Sequence, residues 1–547
     1  MTFQDKLRNR EYDRIWQEYC GFLDLDIKSY MEIQNRLLEE QIRLWCSCPL
    51  GQQITKGRTP KTIEEFRQMV PLTTYEDYAD VLLLKKEDML PDAPIIWIQT
   101  TWEGGKHPIK VAPYTKGMLQ TYKNNVLACM ILSTSRQKGQ FDLEEADTFL
   151  YALAPLPYTT GLIPLALTDE IDVQFLPPVR DAVNLSFSER NKKGFKMGLG
   201  KGIDFFFGLG SVAYYVSLSV TKLSEGDKRG GTLKKICSMS PSMLLRYLKA
   251  KKLCKQENRE LKPKDLFKLK GFVCAGTDNR CYKDDLEDLW GVRPIEVFSG
   301  TEPSCIGIET WTRNGLYFFP DTCFYEFIPE AEMNRQQEEP AYVPKTVCMD
   351  QVVPGEVYEI AITVLKGGAF ARYRVGDMYR CLGLSNQEDE TRIPRFEYID
   401  RVPSIIDIGG FTRISENSIK NVIELSGLGI KDWVALKEFT RDKGRPFLHL
   451  YVELTPDTIV SHAVSREILK EHLTIYFKYV DQDYHDLKRI LGMDPLEITI
   501  LRCGTFMAYE ADAKKPLRHI NPSPHQVQDL LKAQHFFEER GSRRVSL

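Results

Sequence analysis

The chain has 547 residues, a formal net charge of −3, 43% hydrophobic residues and 27% charged residues. This length exceeds what one hydrophobic core supports, so two or more domains are expected, and the composition excludes a disordered chain. There is no long basic block, so the charge gives no reason to expect a nucleic acid or an anionic membrane as partner.

From residue 5 to residue 45, apolar residues three or four positions apart predict packed helices. Within residues 62–82, Pro71 ends one helical pattern, and Thr73 and Thr74 cap another. From Ile95 to about Asp400, short apolar runs alternate with helical patterns and glycine-rich turns. This alternation predicts an α/β domain with layered, mostly parallel sheets. Its candidate strands include 95–99, 148–156, 271–276 and 358–365.

Residues 203–220 approach the length of a transmembrane helix, but they contain Gly208 and Gly210. A buried helix, or one wall of an apolar pocket, is therefore favoured over a membrane span. The thirteen cysteines are irregularly spaced, with no C-x-x-C pair that would predict a zinc site. They are expected to be reduced thiols packed as small apolar groups. The N-terminus lacks the apolar run of a signal peptide, so a cytoplasmic protein is expected.

After about Arg401 the pattern changes. Residues 432–440 and 445–454 predict two strands joined by the turn 441–444, followed by a helix over 465–480 and a strand over 496–502. The predicted organisation is a large α/β domain over residues 1–400 and a small, mobile α+β domain over residues 401–547.

A first motif, Phe298-Ser299-Gly300-Thr301-Glu302, directly follows the apolar residues of a predicted strand. Small residues let backbone N–H groups approach a phosphate, Thr301 can donate to an α-phosphate oxygen, and Glu302 can hold Mg²⁺. By itself, the motif favours an ordinary turn at the end of a strand that carries a solvated glutamate.

A second motif, Tyr373-Arg374-Val375-Gly376-Asp377, also follows a predicted strand. An aspartate at a strand end can accept hydrogen bonds from both hydroxyls of a ribose. Further along the chain, Asp400-Arg401 precedes the segment 408–416, which contains a Gly-Gly pair that is a candidate hinge at the predicted domain boundary.

The order and spacing of these motifs resemble those of the adenylate-forming superfamily, which includes acyl-CoA synthetases, luciferases and adenylation domains. Segments 66–82 and 355–377 most resemble the acyl acid amido synthetases that conjugate auxin or jasmonate to amino acids, and their bacterial relatives. The resemblance extends from about Phe66 to Ser523. It implies an ATP-dependent acid–amine ligase that uses Mg²⁺ and releases AMP and pyrophosphate.

The resemblance also implies roles for individual residues. Thr301, Glu302 and Lys515 are the implied catalytic residues. Glu302 is also the implied metal ligand, and Lys514 is the alternative to Lys515. The residues implied to bind the nucleotide are Thr100, Thr101, Gly104, Gly105, Lys106, Ala275, Gly276, Thr277, Ser299, Gly300, Thr301, Asp377 and Arg401.

The phosphate loop departs from the family pattern, because Trp102 and Glu103 stand where serine or threonine is expected. A carboxylate about 4 Å from a phosphate charge costs roughly 1–4 kcal/mol, depending on screening. Glu103 must therefore point away, pair with Lys106 or face Mg²⁺. This departure leaves open a catalytically silent relative that binds a nucleotide or an acyl group.

The segment 154–161 resembles the border of the family's acyl site, with Tyr158 and Thr159 as substrate-binding candidates. A proline-stiffened connection in the core is an equally good interpretation. The implied partners are a small carboxylic acid and an amine, by resemblance that of an amino acid. A CoA thiol as acceptor, giving a thioester ligase, is the alternative.

Overall fold

The computed structural model describes residues 1–100, 107, 109–182, 185, 187–221, 239–409, 412–456, 461–480, 494–512 and 517–544. The chain forms two compact units. The larger contains residues 1–101 and 110–400, and the smaller contains residues 401–547 with residues 102–109. Each unit has its own sheets.

The larger unit begins with helices, as the apolar spacing predicts. They are α1 (Phe3–Arg8), α2 (Tyr12–Tyr19), α3 (Ile27–Ser47), α4 (Pro49–Thr55), α5 (Ile63–Met69) and α6 (Ala79–Leu82). Helix α5 ends two residues before Pro71, which lacks the N–H that would continue it. On α3, the buried Gln34 amide donates to the carbonyl of Cys323 at 2.7 Å and accepts the N–H of Tyr325 at 3.1 Å. This side chain fastens the helix to a strand almost 300 residues away.

The main sheet of the larger unit has seven strands. In chain order, the first nine strands are β1 (Ile96–Gln99), β2 (Val111–Tyr114), β3 (Thr148–Ala152), β4 (Gln174–Leu176), β5 (Phe205–Leu209), β6 (Gly271–Ala275), β7 (Ile295–Gly300), β8 (Ser304–Ile308) and β9 (Tyr317–Phe318). The sheet order is β4-β3-β5-β6-β7-β8-β9. Strands β3 to β7 are parallel, whereas β8 and β9 are antiparallel.

Helices connect the parallel strands. They are α7 (Lys116–Thr134), α8 (Leu162–Thr168), α9 (Val179–Ala182), α10 (Phe187–Lys201), α11 (Gly210–Thr221), α12 (Pro241–Gln256), α13 (Pro263–Leu266) and α14 (Arg280–Trp290). The predicted α/β fold is therefore confirmed. The interpretation of residues 203–220 as one buried helix is wrong, because the segment divides into β5 and α11. None of the helices in the described ranges is long and apolar enough to cross a membrane.

A second sheet contains β10 (Cys323–Pro329), β11 (Val347–Cys348), β12 (Val357–Val364), β13 (Tyr373–Gly383) and β14 (Arg395–Arg401), with α15 (Glu330–Glu338) beside it. Its order is β11-β10-β12-β13-β14, and β10, β11, β12 and β13 pair antiparallel. The prediction of mostly parallel strands therefore fails for this sheet. Residues 365–372 between β12 and β13 are too few for a crossover helix, so the chain reverses. Strand β1 also leaves the parallel sheet, because it pairs antiparallel with β2.

The buried Arg372 joins the start of β13 to strand β10 and to the helical region. Both ends of the Arg372 guanidinium contact the Glu326 carboxylate, at 2.8 and 2.9 Å. The same guanidinium donates to the carbonyl of Val70 at 2.8 Å. Next to it, the N–H of Thr73 donates to the carbonyl of Arg372 at 3.0 Å, and the N–H of Arg374 donates back to Thr73 at 2.9 Å. The two segments that carry the family resemblance, 66–82 and 355–377, are therefore neighbours in space.

The smaller unit is α+β. It contains β15 (Ile405–Ile408), β16 (Thr412–Ser415), β17 (Ile430–Phe439), β18 (Pro446–Leu454), β19 (Leu496–Leu501), α16 (Glu416–Ser426), α17 (His462–Val480), α18 (Thr505–Asp512) and α19 (Pro524–Arg544). Strands β17 and β18 pair antiparallel across the predicted turn, and β19 lies parallel to β18. The strands and the helix predicted from 432–502 are confirmed.

The segment that follows residues 513–516 is fixed to β17. The N–H of Ala435 donates to the carbonyl of His519 at 2.7 Å, and the N–H of Asn521 donates to Ala435 at 2.8 Å. The His519 ring also lies 2.9 Å from Asp432 Oδ1 and 3.5 Å from Glu416 Oε1. The hydrogen bond to Asp432 is the main reason that the pKa of His519 is raised. Backbone pairing and ion pairs thus hold this segment together.

Candidate functional site

The carboxyl ends of β5, β6 and β7 lie side by side, and each ends at or just before a glycine. The N–H of Gly210 donates to Asn279 Oδ1 at 3.1 Å, and Asn279 Nδ2 donates to the carbonyl of Gly276 at 2.7 Å. A Cβ at Gly210 would lie 2.7 Å from that Oδ1 atom, so the close approach requires glycine. In open α/β sheets, ligands bind outside this edge.

Threonine hydroxyls gather where β7 ends. Thr301 Oγ1 lies 3.5 Å from Thr159 Oγ1 and 3.5 Å from the carbonyl oxygen of Gln99. The Tyr114 hydroxyl donates to the carbonyl of Thr301 at 2.9 Å, and the Tyr122 hydroxyl donates to that of Thr159 at 3.1 Å. The structure therefore places the predicted phosphate contact Thr301 beside the predicted acyl-site residue Thr159.

The Glu302 carboxylate is buried beside a tyrosine and a lysine. The Tyr373 hydroxyl donates to Glu302 Oε1 at 2.6 Å. Lys110 Nζ lies 3.5 Å from the same oxygen and 3.4 Å from the Tyr373 hydroxyl. Glu302 is 6% exposed and Tyr373 is 1% exposed. Carboxylate oxygens are the ligands that Mg²⁺ prefers, so Glu302 has the chemistry of a metal ligand.

A second link joins the two motifs through aromatic rings. The Phe298 ring stacks on Tyr398 with centroids 5.4 Å apart, and it packs edge-to-face with Tyr379 at a centroid distance of 5.3 Å. The Tyr398 hydroxyl in turn lies 3.5 Å from Asp377 Oδ1. Segments 298–302 and 373–377 are therefore packed together, although more than 70 residues separate them in the sequence.

The position of Asp377 differs from the prediction that it ends a strand. It lies inside β13, where the pairing with β12 shifts register between Glu359 and Ala361. Gly376 has φ +82°, and Asp377 is 1% exposed. This irregularity is a β-bulge, and a bulge can redirect a side chain without ending the strand.

Among the described residues, five other predicted nucleotide-binding residues lie at or next to the ends of β6 and β7: Ala275, Gly276, Thr277, Ser299 and Gly300. Ala275 ends β6, and Gly276 and Thr277 follow it. Ser299 Oγ is buried and has no hydrogen-bond partner in the described part of the chain, so it can bond to a ligand. Arg401 is the last residue of β14.

Thr100 has a structural contact. Its Oγ1 accepts the N–H of Lys110 at 3.0 Å, and its own N–H donates to the Lys110 carbonyl at 2.9 Å. These bonds continue the pairing of β1 with β2 by one further residue on each side. Tyr158 is half-buried next to Thr159. Some predicted residues lie outside the described residues: Thr101, Trp102, Glu103, Gly104, Gly105, Lys106, Lys514 and Lys515.

Sequence reasoning missed Lys110 and gave Tyr373 no role. Lys106 was predicted to bind the nucleotide because the family resemblance implies a lysine at that position of the loop. Lys110 is the last residue before β2, whose Val111 pairs with Gln99. Its position directly before a predicted strand was a usable signal, because backbone pairing of the strand holds the lysine in place. The contact with Tyr373 has no local sequence signal.

Known proteins resemble this chain over defined parts. The model of the GH3 family N-terminal domain matches residues 20–161, and that of the GH3 family central domain matches residues 316–401. The jasmonoyl-L-amino acid synthetase GH3.5 of Oryza sativa subsp. japonica is 26% identical over 234 residues, which are 39% of this chain and 38% of that protein. The match therefore spans less than half the length of this curated relative.

Two solved structures share the fold. The acyl acid amido synthetase AtGH3.15 in complex with 2,4-DB superimposes with a TM-score of 0.50 and 16% identity, covering 92% of this chain and 94% of that one. A 2-hydroxyisobutyryl-CoA ligase in complex with 2-HIB-AMP and CoA gives a TM-score of 0.55 and 16% identity, covering 86% of each chain. The resemblance stated from segments 66–82 and 355–377 is confirmed. The chain thus resembles the GH3 family of acyl acid amido synthetases in its N-terminal and central domains, and it has the fold of adenylate-forming enzymes.

Proposed function

We propose that this protein is an ATP-dependent ligase that activates a carboxylic acid as its acyl-adenylate and transfers the acyl group to an amine. The observation that carries the proposal is the contact between the two motifs, made by the Tyr373 hydroxyl and the Glu302 carboxylate at 2.6 Å. This contact joins the buried carboxylate, next to the Thr301 hydroxyl at the end of β7, to the segment of β13 that contains Asp377. These are the groups that a nucleotide with its magnesium requires.

In the first half-reaction, a carboxylate oxygen of the acid attacks the α-phosphorus of ATP. An O–P bond forms, the bond to pyrophosphate breaks, and pyrophosphate leaves with that electron pair. Thr301 donates to an α-phosphate oxygen, and Asp377 accepts hydrogen bonds from the ribose hydroxyls. Glu302 would hold Mg²⁺, which neutralises charge on the phosphate oxygens when it is bound.

In the second half-reaction, the amine nitrogen attacks the acyl carbon. An amide bond forms, the bond to AMP breaks, and the nitrogen loses one proton to solvent. The adenylate is already activated, so no side chain has to act as a covalent nucleophile. Lys515 would stabilise the charge at phosphorus during the first step, and the unit that begins at Arg401 would turn to admit the amine.

The acceptor proposed is the amine of an amino acid, and the compartment proposed is the cytoplasm. The matched segments of the amino acid synthetase support the first assignment. Free thiols support the second, because a disulfide is rare in a reducing compartment. In the described residues, twelve cysteines form no disulfide with one another, and ten of them are buried.

The experiment is carboxylate-dependent exchange of labelled pyrophosphate into ATP over a panel of aryl and aliphatic acids. Lys515→Ala is compared with its matched neighbour Lys514→Ala. Exchange that requires an acid and is lost only in Lys515→Ala supports the proposal. Amino acids and CoA are then offered separately, and amide or thioester product identifies the acceptor. Binding of AMP with no exchange for any acid would instead indicate a silent relative.

A further inference from the structure

Helix α12, Pro241–Gln256, has one buried and one exposed face. Met243, Tyr247, Ala250 and Cys254 are buried against the larger unit. On the opposite face, Leu245 is 60% exposed and Leu248 is 53% exposed, which is high for large apolar side chains. These leucines are three residues apart, so they are neighbours on the helix surface.

The exposed face is also strongly basic. The helix contains no aspartate or glutamate, and its basic residues are Arg246, Lys249, Lys251, Lys252 and Lys255. All five are exposed, and none forms an ion pair with a described residue. The adjacent helix α10 exposes two further lysines, Lys192 and Lys196. The net charge of −3 for the whole chain conceals this local excess of positive charge.

The combination of leucines and lysines limits what can bind there. A protein that wraps around a basic helix would have to contact the apolar face of that helix. On α12 this face is not available, because Tyr247 and Met243 already pack inside the larger unit. A nucleic acid would engage the lysines and leave the leucines in water. An anionic bilayer accommodates both, because leucines enter the boundary of the acyl chains while lysines meet lipid headgroups.

We propose that the exposed face of α12 docks on an anionic membrane surface. The helix lies in the plane of the interface and keeps its buried face on the protein, so the contact is peripheral. The proposal is independent of the proposed ligase reaction, because it uses none of the residues assigned to that site.

The test is co-sedimentation of the full chain with vesicles of phosphatidylcholine, and with vesicles of equal parts phosphatidylcholine and phosphatidylserine. Binding to the anionic vesicles that weakens with salt is expected. Lys249→Glu with Lys252→Glu should lower the partition coefficient at least about 20-fold, because each charge near the surface is worth roughly a factor of five. Leu245→Ala with Leu248→Ala should lower it about tenfold, because both side chains lose contact with the acyl boundary.

A matched control pair lies elsewhere on the larger unit. Leu84 is 68% exposed and Lys86 is close to it, but Glu87 and Asp88 follow directly. Leu84→Ala with Lys86→Glu should bind vesicles like the unaltered chain. Absence of binding to anionic vesicles overturns the proposal. The proposal is also overturned if the control variant loses as much vesicle binding as the α12 variants. It is overturned too if the lysine variant loses binding and the leucine variant does not. Circular dichroism confirms that each variant is folded.

Discussion

Replacing Tyr373 by phenylalanine isolates the hydroxyl that joins the two motifs. In the structure this hydroxyl donates to Glu302 Oε1 at 2.6 Å, while Lys110 lies 3.5 Å from the same oxygen. The phenylalanine ring fills the same space, so the substitution removes one hydrogen bond and creates little cavity. We expect effects on both stability and magnesium binding.

The size of each effect follows from the charge and burial of the acceptor. A hydrogen bond to a charged group contributes about 1.5–3 kcal/mol, so Tyr373→Phe should lower the free energy of unfolding by that amount. Residues that hold a metal ligand in place typically contribute about 10–100-fold to metal affinity. The apparent Mg²⁺ affinity in pyrophosphate exchange should therefore fall by at least about tenfold.

The assays are urea unfolding and exchange rates measured over a magnesium titration. Tyr325→Phe is the matched control, because its buried hydroxyl donates to the neutral carbonyl of Phe319 at 2.8 Å, away from Glu302. This control should lose about 0.5–1.5 kcal/mol and keep its magnesium dependence. If Tyr373→Phe left the magnesium dependence unchanged, the assignment of Glu302 as a metal ligand held by Tyr373 would be refuted.

Three further predictions concern other charged groups. Lys110→Met should slow pyrophosphate exchange about tenfold or more, because it removes the cation next to Glu302, the proposed magnesium ligand. The rate of acid-dependent exchange at saturating ATP checks this. Arg372→Leu should lower the free energy of unfolding by about 3–5 kcal/mol, measured in urea, because among the described residues it leaves Arg67 as the one cation beside the buried Glu326 carboxylate. His519→Gln should destabilise the chain more at low pH, because Asp432 raises the pKa of the folded histidine. The stabilisation is full below the unfolded pKa of about 6.5 and is lost as the pH rises through the pKa of the folded histidine. In urea unfolding, the difference in unfolding free energy between the unaltered chain and the variant should therefore shrink toward zero from acid to alkaline pH.

Sequence reasoning worked where the signal is local. The turn at Thr301 and Glu302 could be predicted because small residues and a carboxylate directly follow an apolar run. The hairpin of β17 and β18 could be predicted because alternating runs flank a turn sequence. In both cases the physical cause lies within about ten neighbouring residues.

Features that depend on strand pairing could not be predicted. Asp377 was expected at a strand end. In the structure a bulge positions it inside β13, and this bulge is defined by the register of β13 against β12, which the sequence does not show. Lys110 and Tyr373 meet across 263 positions, and no periodicity within either segment encodes that contact. Strand β1 was expected in the parallel sheet, because an apolar run does not reveal its partner.

The pairing of Thr73 with the start of β13 also has a consequence for synthesis on the ribosome. Thr73 Oγ1 donates to the carbonyl of Ala371, 298 positions later, and the Arg372 guanidinium holds the carbonyl of Val70. Residues 66–82 therefore cannot form these contacts until the second sheet has been translated, roughly 15–60 s later at 5–20 residues per second. During that interval the apolar side chains of this segment lack their native contacts, so a chaperone that binds nascent chains should associate with residues 66–82 before those of the second sheet emerge.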